Sequence, residues 1–306
     1  MDQAALSQPD WGVYADRCWD GWPGIVLDWP DFGVPRQDAN ALAAIVEAVD
    51  RARSGQDILI GCRGGIGRTG TILAAIAVIT GIPPQRARDW VRARYHPDAV
   101  ETEPQRMWVE TRVAGDDRVQ TKATRSRDAR IKAVTHRLKI EMRSALQAGD
   151  PLPRLGWAIP EVLAVTQRPL RAHPRYAGSR MDYPPDSRPE IDAWITDLVR
   201  QGIRAVVVVT SNKELHHYDG PTADDGGLLS LYSRAGLQVA HFPADDPAHD
   251  LTARNAFEAG VDDLAVEVAR ALRSLALPAV VHCSAAIDRS PPLAARIAFL
   301  AEVDSL

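Results

Sequence analysis

A short apolar run, a cysteine, a glycine-rich turn, an arginine backed by a hydroxyl, and then a long apolar segment follow one another in "ILIGCRGGIGRTGTILAAIAV", Ile58–Val78. An apolar run of this length that stops at turn residues reads as a buried strand, and the longer apolar segment behind the turn as a buried helix. The order recurs near the other end of the chain in "PAVVHCSAAIDRSPPLAARIAFL". A buried strand that feeds a buried helix must lie in a sheet covered by helices, so two such units commit the chain to an α/β layer architecture.

The intervening sequence agrees. "GIVLDW" reads as a strand, "ANALAAIVEAVDRARS" as an amphipathic helix, and "PQRARDWVRARY" as a helix whose proline suits its first turn, with Gly81 closing the helix before it. Further on, "WITDLVRQG" and "NAFEAGVDDLAVEVARALRSL" read as helices, and "IRAVVVVT", "LQVAHFP" and "PAVVHC" as strands. Between the halves, residues 116–150 place Ile131, Val134, Leu138, Met142 and Ala145 at helical spacing and carry nine lysines and arginines. Those charges are expected to form a solvated helix face, with an anionic partner as the alternative. The expected organisation is a first α/β domain over 1–115, a helical basic linker over 116–156, and a second α/β domain over 157–306. Each domain is a central, mostly parallel sheet flanked by helices.

Composition narrows the function classes. At 306 residues, 45% hydrophobic and 25% charged with a formal charge of -4, the chain suits a globular protein of two domains. The mild acidity argues against a nucleic-acid binder that works through a whole-surface field. The absence of ~18 consecutive apolar residues argues against a membrane span. "MDQAALSQPDWG" lacks the basic and apolar segments of a secretory signal, so a cytoplasmic location is expected. Cys18, Cys62 and Cys283 are too few and scattered for a disulfide framework or a zinc site. The adjacent His216 and His217 are expected to bind no metal.

The two cysteine loops have a chemistry in common. Backbone N–H groups of Arg63, Gly64, Gly65, Ile66 and Gly67 can turn inward and form an anion nest at the positive end of the following helix. Gly64, Gly65 and Gly67 admit the positive φ angles such a turn uses. Arg68 supplies a planar fork for two phosphate oxygens. The same donors lower the thiol pKa, so Cys62 can act as a thiolate nucleophile on a bound phosphoryl group. Leaving-group departure then needs an acid, and "WPDFGVP" upstream offers Asp31 in a proline-stiffened loop beside Trp29.

"WPDFGVP" followed by "GCRGGIGRTGT" resembles the mobile acid loop and phosphate loop of cysteine-dependent protein-tyrosine phosphatases. Gly61 stands where that family commonly has a histidine. The resemblance implies no metal or other cofactor, Thr69 as a supporting hydroxyl, and, through "YHPDAVETEPQ", Gln105 as a water-positioning glutamine.

The second half resembles the dual-specificity and lipid-phosphatase-like branches of the same superfamily. "VHCSAAIDRS" aligns His282, Cys283, Arg289 and Ser290, with Ser284, Ala285, Ala286, Ile287 and Asp288 as the phosphate-binding turn and Ser290 expected to hydrogen-bond the cysteine. "HFPADDPAHD" offers Asp245 or Asp246 as its acid, and the resemblance favours Asp246, because acid loops of that family often show a proline, two residues and then an aspartate. The arginines of "RPLRAHPRYAGSR", the entry segment that precedes Met181, are expected mainly on the solvated surface, with contact to substrate as the alternative. The expected substrate is a phosphorylated protein, phosphotyrosine first, or a small phosphate ester. Alternatives are a phosphate-binding second domain without turnover, a phosphoinositide substrate, or sulfur transfer. The first domain is short ahead of its acid and the second short behind its arginine, so either the two are expected to pack against each other or the first belongs to a subfamily with a short entry segment.

Overall fold

In the computed structural model, residues 7–17, 21–177, 182–248 and 250–304 are described. Cys18 and residues 178–181 lie outside them. Chain contacts divide the protein into two units, Met1–Ala129 with Val303–Leu306, and Arg130–Glu302.

The first unit is built on three parallel strands in the order β2–β1–β3: β1 Trp11–Ala15, β2 Ile25–Leu27 and β3 Ile58–Cys62. The middle strand was not legible in the sequence. Five residues with a glycine among them, after a polar start, show no alternation or bounded apolar run. Its burial comes from position instead, since Val13, Tyr14 and Ala15 are covered on both sides. α1 (Asp38–Arg53) buries Leu42, Ile45 and Val49 on one stripe, while α2 (Gly67–Ile79) is buried almost all round and packs against α1 and α3 (Pro84–Arg94). That is the difference between a surface helix and a core helix. α4 (Glu103–Trp108) follows, capped reciprocally by Thr102 and Gln105. A π-helical turn over Val109–Val113 continues from it.

α5 (Asp117–Ala148) is one unbroken helix. Its second half belongs to the core of the second unit, where Leu138 and Met142 are buried with Val134 packed beside them. Much of its basic face is paired with acids: Lys122 with Asp50, Arg118 with Asp116, Arg137 with Glu141.

The second unit carries five strands in the order β4–β5–β8–β6–β7: β4 Gly156–Ile159, β5 Leu163–Gln167, β6 Ala205–Val208, β7 Gln238–His241 and β8 Ala279–Cys283. Only the β4–β5 pair is antiparallel. Leu163, Val165, Val207 and Val281 point into one core with α9 (Leu251–Leu272), and Val206, Val208 and Val280 into another with α6 (Arg188–Arg200) and α8 (Leu228–Arg234). Strands buried on both faces explain the uninterrupted apolar runs in the sequence. α7 (Asn212–Leu215) follows β6, and α10 (Ser290–Asp304) follows the β8 loop. The triplet β7–β6–β8 matches β2–β1–β3 in direction and order, so β4 and β5 have no counterpart among the described strands of the first unit.

Candidate active site

In the first unit, Cys62 ends β3 opposite Ala15 of β1, and the chain turns once before entering α2 at Gly67. Of the three glycines expected to take left-handed backbone, Gly65 alone does so, with φ +73°. A Cβ would strain that conformation. The turn aims the Gly65 N–H at Cys62 Sγ, 3.2 Å away, and Thr69 Oγ1 donates to the same sulfur at 3.1 Å. Burial opposes the thiolate. The bonds from Thr69 and Gly65 and the charge of Arg68 outweigh it, so the Cys62 thiol titrates below its ordinary value. From outside the loop, the Tyr95 hydroxyl donates to the Gly65 carbonyl. Its own burial and the nearby Cys62 push the Tyr95 phenol up.

Arg68 is buried. Its Nη1 donates to the Trp29 carbonyl at 3.0 Å, and its Nη2 lies 3.2 Å from Asp31 Oδ1 and 3.8 Å from Asp16 Oδ2. The expected acid and the expected phosphate-binding arginine are therefore neighbours. The acid loop is held at three points: Trp29 Nε1 donates to the Gly33 carbonyl at 2.8 Å, the Trp29 ring meets Trp108 edge-on at 5.2 Å, and Thr102 Oγ1 donates to the Phe32 carbonyl at 2.9 Å. Asp31 itself stays 63% exposed. A cavity of about 300 Å³ opens beside it, lined by Asp16, Asp31, Arg36, Arg63 and Arg68 among others. Gln105 is fully buried, and its Nε2 has no hydrogen-bond partner.

The missing histidine has a local explanation. Gly61 lies directly opposite Tyr14 in the β1–β3 register, and a Cβ there would already touch the Tyr14 ring at 3.5 Å. The buried tyrosine takes up room beside the strand that a larger side chain at Gly61 would contest. In the second unit the residue before the cysteine is His282, fully buried, with Nε2 3.1 Å from the Tyr232 hydroxyl. Burial depresses its pKa to about 3, so it is neutral.

Around Cys283 the same loop is arranged differently. Cys283 is 1% exposed, and Ala286 takes the left-handed conformation with φ +54°. Ser290 Oγ is buried without a hydrogen-bond partner, so the bond to Cys283 expected from the sequence is not formed. Arg289 is paired within the protein through its two terminal nitrogens, while its Nε is buried without a hydrogen-bond partner. Nη1 and Nη2 hold the two Glu214 oxygens at 2.6 and 2.7 Å, and Nη1 also donates to the Ala244 carbonyl at 2.7 Å. Burial opposes ionisation of Glu214, but Arg289 and the Ser211 donors outweigh it and hold its carboxyl below the usual range. Of the two candidate acids, Asp246 stands 3.7 Å from Arg289 Nη2, while Asp245 is exposed. Asp288 turns outward to within 3.7 Å of Lys139.

Three features escaped the sequence reading. Arg168 is not on the surface: it is 1% exposed, its N–H donates to the Ser284 carbonyl at 3.0 Å, and its Nε donates to Ser284 Oγ at 3.3 Å. Glu214 carries a visible signal, since "SNKE" is a capping box, but that pattern announces a helix start and says nothing of a guanidinium partner. Asp16 has no signal beyond its place at a strand end. His216 and His217 diverge to separate carboxylates, Asp219 and Asp182.

Residues 33–134 match the family described as PTP-SAK, a Swiss Army Knife protein, DSP-PTPase phosphatase domain. Two uncharacterized proteins of Methanocaldococcus jannaschii are similar to this chain. One is 32% identical over 88 residues, 28% of this chain and 57% of the relative; the other is 33% identical over 88 residues, 28% of this chain and 53% of the relative. The chain thus spans about half the length of these curated relatives. The crystal structure of Tk-PTP in the active form is similar with a TM-score of 0.31 and 28% identity, over 35% of this chain and 80% of that one. No helix among the described residues is long and apolar enough to cross a membrane. The family match spans Cys62, Arg68 and Gln105, and over residues 33–134 this chain is similar to phosphatase domains of the protein-tyrosine and dual-specificity superfamily.

Proposed function

We propose that the first unit hydrolyses phosphomonoesters, with phosphotyrosine in proteins as the leading substrate class, through a cysteinyl-phosphate intermediate. The Cys62 thiolate attacks phosphorus, forming the S–P bond as the ester P–O bond breaks, and Asp31 gives its proton to the departing oxygen. Arg68 and the loop N–H groups hold the equatorial oxygens of the transferring phosphoryl group. Asp31, now ionised, then takes a proton from water. The resulting hydroxide attacks phosphorus, the S–P bond breaks, and Thr69 Oγ1 stabilises the departing thiolate. Gln105, with its unpartnered buried Nε2, orients that water.

The observation that carries this reading is the pair of donors on Cys62 Sγ, Gly65 N–H and Thr69 Oγ1. They favour the thiolate at a sulfur whose loop system also carries the Arg68–Asp31 pair. "WPDFGVP" supports phosphotyrosine as substrate. The test is a pH–rate profile on an aryl phosphate for the native chain and Asp31→Asn. Loss of the alkaline limb in the variant is expected; an unchanged profile removes Asp31 from the mechanism.

For the second unit, a phosphate-binding module without turnover is favoured. The two terminal nitrogens of Arg289 are already paired with Glu214, leaving only its Nε without a partner, Ser290 makes no bond to Cys283, and Cys283 is buried. Turnover should vanish in Cys62→Ser and survive in Cys283→Ser; equal losses in both would make the second unit an enzyme as well.

A further inference from the structure

The segment that follows β5 brings a second cation to the Cys283 loop. Arg168 is locked onto Ser284, the residue next to Cys283, and its guanidinium lies over the rings of Tyr183 and Tyr218 at 5.4 and 5.6 Å. The chain then folds back, with Leu170 in the left-handed conformation at φ +65° and the Arg171 N–H donating to the Arg168 carbonyl at 3.3 Å. This turn brings Arg171 within electrostatic reach of the same loop. Its charge is felt together with those of Arg168, Tyr183, Asp246 and Cys283, and its Nε is buried without a hydrogen-bond partner.

The electrostatics are unusual. Burial and then repulsion from Arg168 lower the pKa of Arg171, although the guanidinium remains charged at any ordinary pH. The two carboxylates at hand have other partners. Glu214 is taken by Arg289, and Asp246, which also acts on Arg171, accepts the Ala248 N–H and lies 3.7 Å from Arg289 Nη2. A partly buried guanidinium with an unsatisfied N–H, beside another buried cation, is a place that an anion would stabilise. No such cation was visible in the loop itself, since "SAAID" contains no lysine or arginine.

We propose that Arg171 forms a second anion subsite beside the Cys283–Arg289 loop, so that this site accepts a phosphate ester bearing a further negative group, phosphate or carboxylate, next to the phosphoryl group. The proposal rests on the reading of the second unit as a phosphate-binding module. In the bound state the Cys283–Arg289 turn holds the phosphoryl group and Arg171 takes the neighbouring anion. Selectivity then lies in a segment that has no described counterpart in the first unit.

The test uses the full chain with Arg68→Ala, which removes the arginine of the first unit's phosphate loop, titrated calorimetrically with orthophosphate and with pyrophosphate. Pyrophosphate is expected to bind about tenfold tighter or more, from one added charge-assisted contact. Arg171→Gln should reduce that ratio to about twofold and leave orthophosphate affinity unchanged, with Arg171→Lys recovering part of the ratio. The double change Glu214→Gln with Arg289→Met, which removes both partners of the buried pair, marks the phosphoryl site itself, and thermal unfolding verifies that each variant folds. Orthophosphate binding that depends on Arg289, with a ratio indifferent to Arg171, overturns the subsite and leaves the phosphate module standing. Binding of neither anion in an Arg289-dependent way overturns both.

Discussion

Arg289 grips Glu214 through both terminal nitrogens, at 2.6 and 2.7 Å, in a pair of which the arginine is 1% exposed. Arg68, its counterpart in the first unit, meets Asp31 through a single 3.2 Å contact to a carboxylate that is 63% exposed. The buried two-point pair holds Arg289 through its terminal nitrogens and leaves Nε without a partner. The one-point pair, exposed on its Asp31 side, is a contact that an entering phosphate would replace under the proposed function.

That contrast predicts different costs of truncation. Glu214→Ala leaves the Arg289 charge buried with carbonyl partners and the more distant Asp246, and should destabilise the protein by about 3–5 kcal/mol. Asp31→Ala, at an exposed site, should change stability by about 0.5 kcal/mol or less. Urea unfolding of the two variants checks the pair; equal losses would mean that Glu214 is not the partner that matters.

Thr69 should set the nucleophile's titration. Removing its hydroxyl in Thr69→Val deletes a hydrogen bond to the thiolate, which raises the Cys62 pKa toward its ordinary value. A higher pKa means less thiolate at neutral pH. Iodoacetamide alkylation in a Cys18→Ser, Cys283→Ser background, followed against pH, should show a midpoint below that of an ordinary thiol, moving upward in the variant. A midpoint that stays put would leave Gly65 and the loop as the whole cause.

The neutral His282 predicts an acid weakness. Its folded pKa of about 3 lies below its ordinary 6.5, so between these values the unfolded chain binds more protons than the folded one. Stability is therefore complete above about pH 6.5 and falls as the pH drops toward 3, by up to about 1.4 kcal/mol per unit. Thermal unfolding between pH 7 and 4 measures the slope, and His282→Gln should flatten it. An identical slope in the variant would assign the acid loss to other groups.

The acid loop should depend on a residue far along the chain. Thr102 caps α4 and also holds the Phe32 carbonyl, so Thr102→Val removes both a cap, worth about 1 kcal/mol, and a tether of the Asp31 loop. The expected result on an aryl phosphate is a several-fold fall in kcat with little change in KM, because phosphate binding by Arg68 is untouched. A rise in KM alone would place Thr102 in binding.

What the sequence by itself determined is whatever local chemistry writes into a few residues. An apolar run stopped by "GCRGGIGRTG" can only be a strand entering a glycine turn and a buried helix, and the cysteine, the donors around it and the arginine travel together in that one turn. Asp31 was legible for the same reason, within a proline-bracketed loop. Tertiary structure alone decided which strand lies between which. Trp11–Ala15 becomes the middle of a sheet because Ile25–Leu27 and Ile58–Cys62 flank it, and no pattern within five residues can state that. It also decided which charge meets which. Glu214 reaches Arg289 across 75 residues, and Arg168 reaches Ser284 across 116, through contacts whose energy depends on distance in space and on exclusion of water rather than on spacing along the chain. The two cysteine loops are alike as sequence. Their surroundings separate a half-buried sulfur with two donors from a buried one whose neighbouring hydroxyl and arginine look elsewhere.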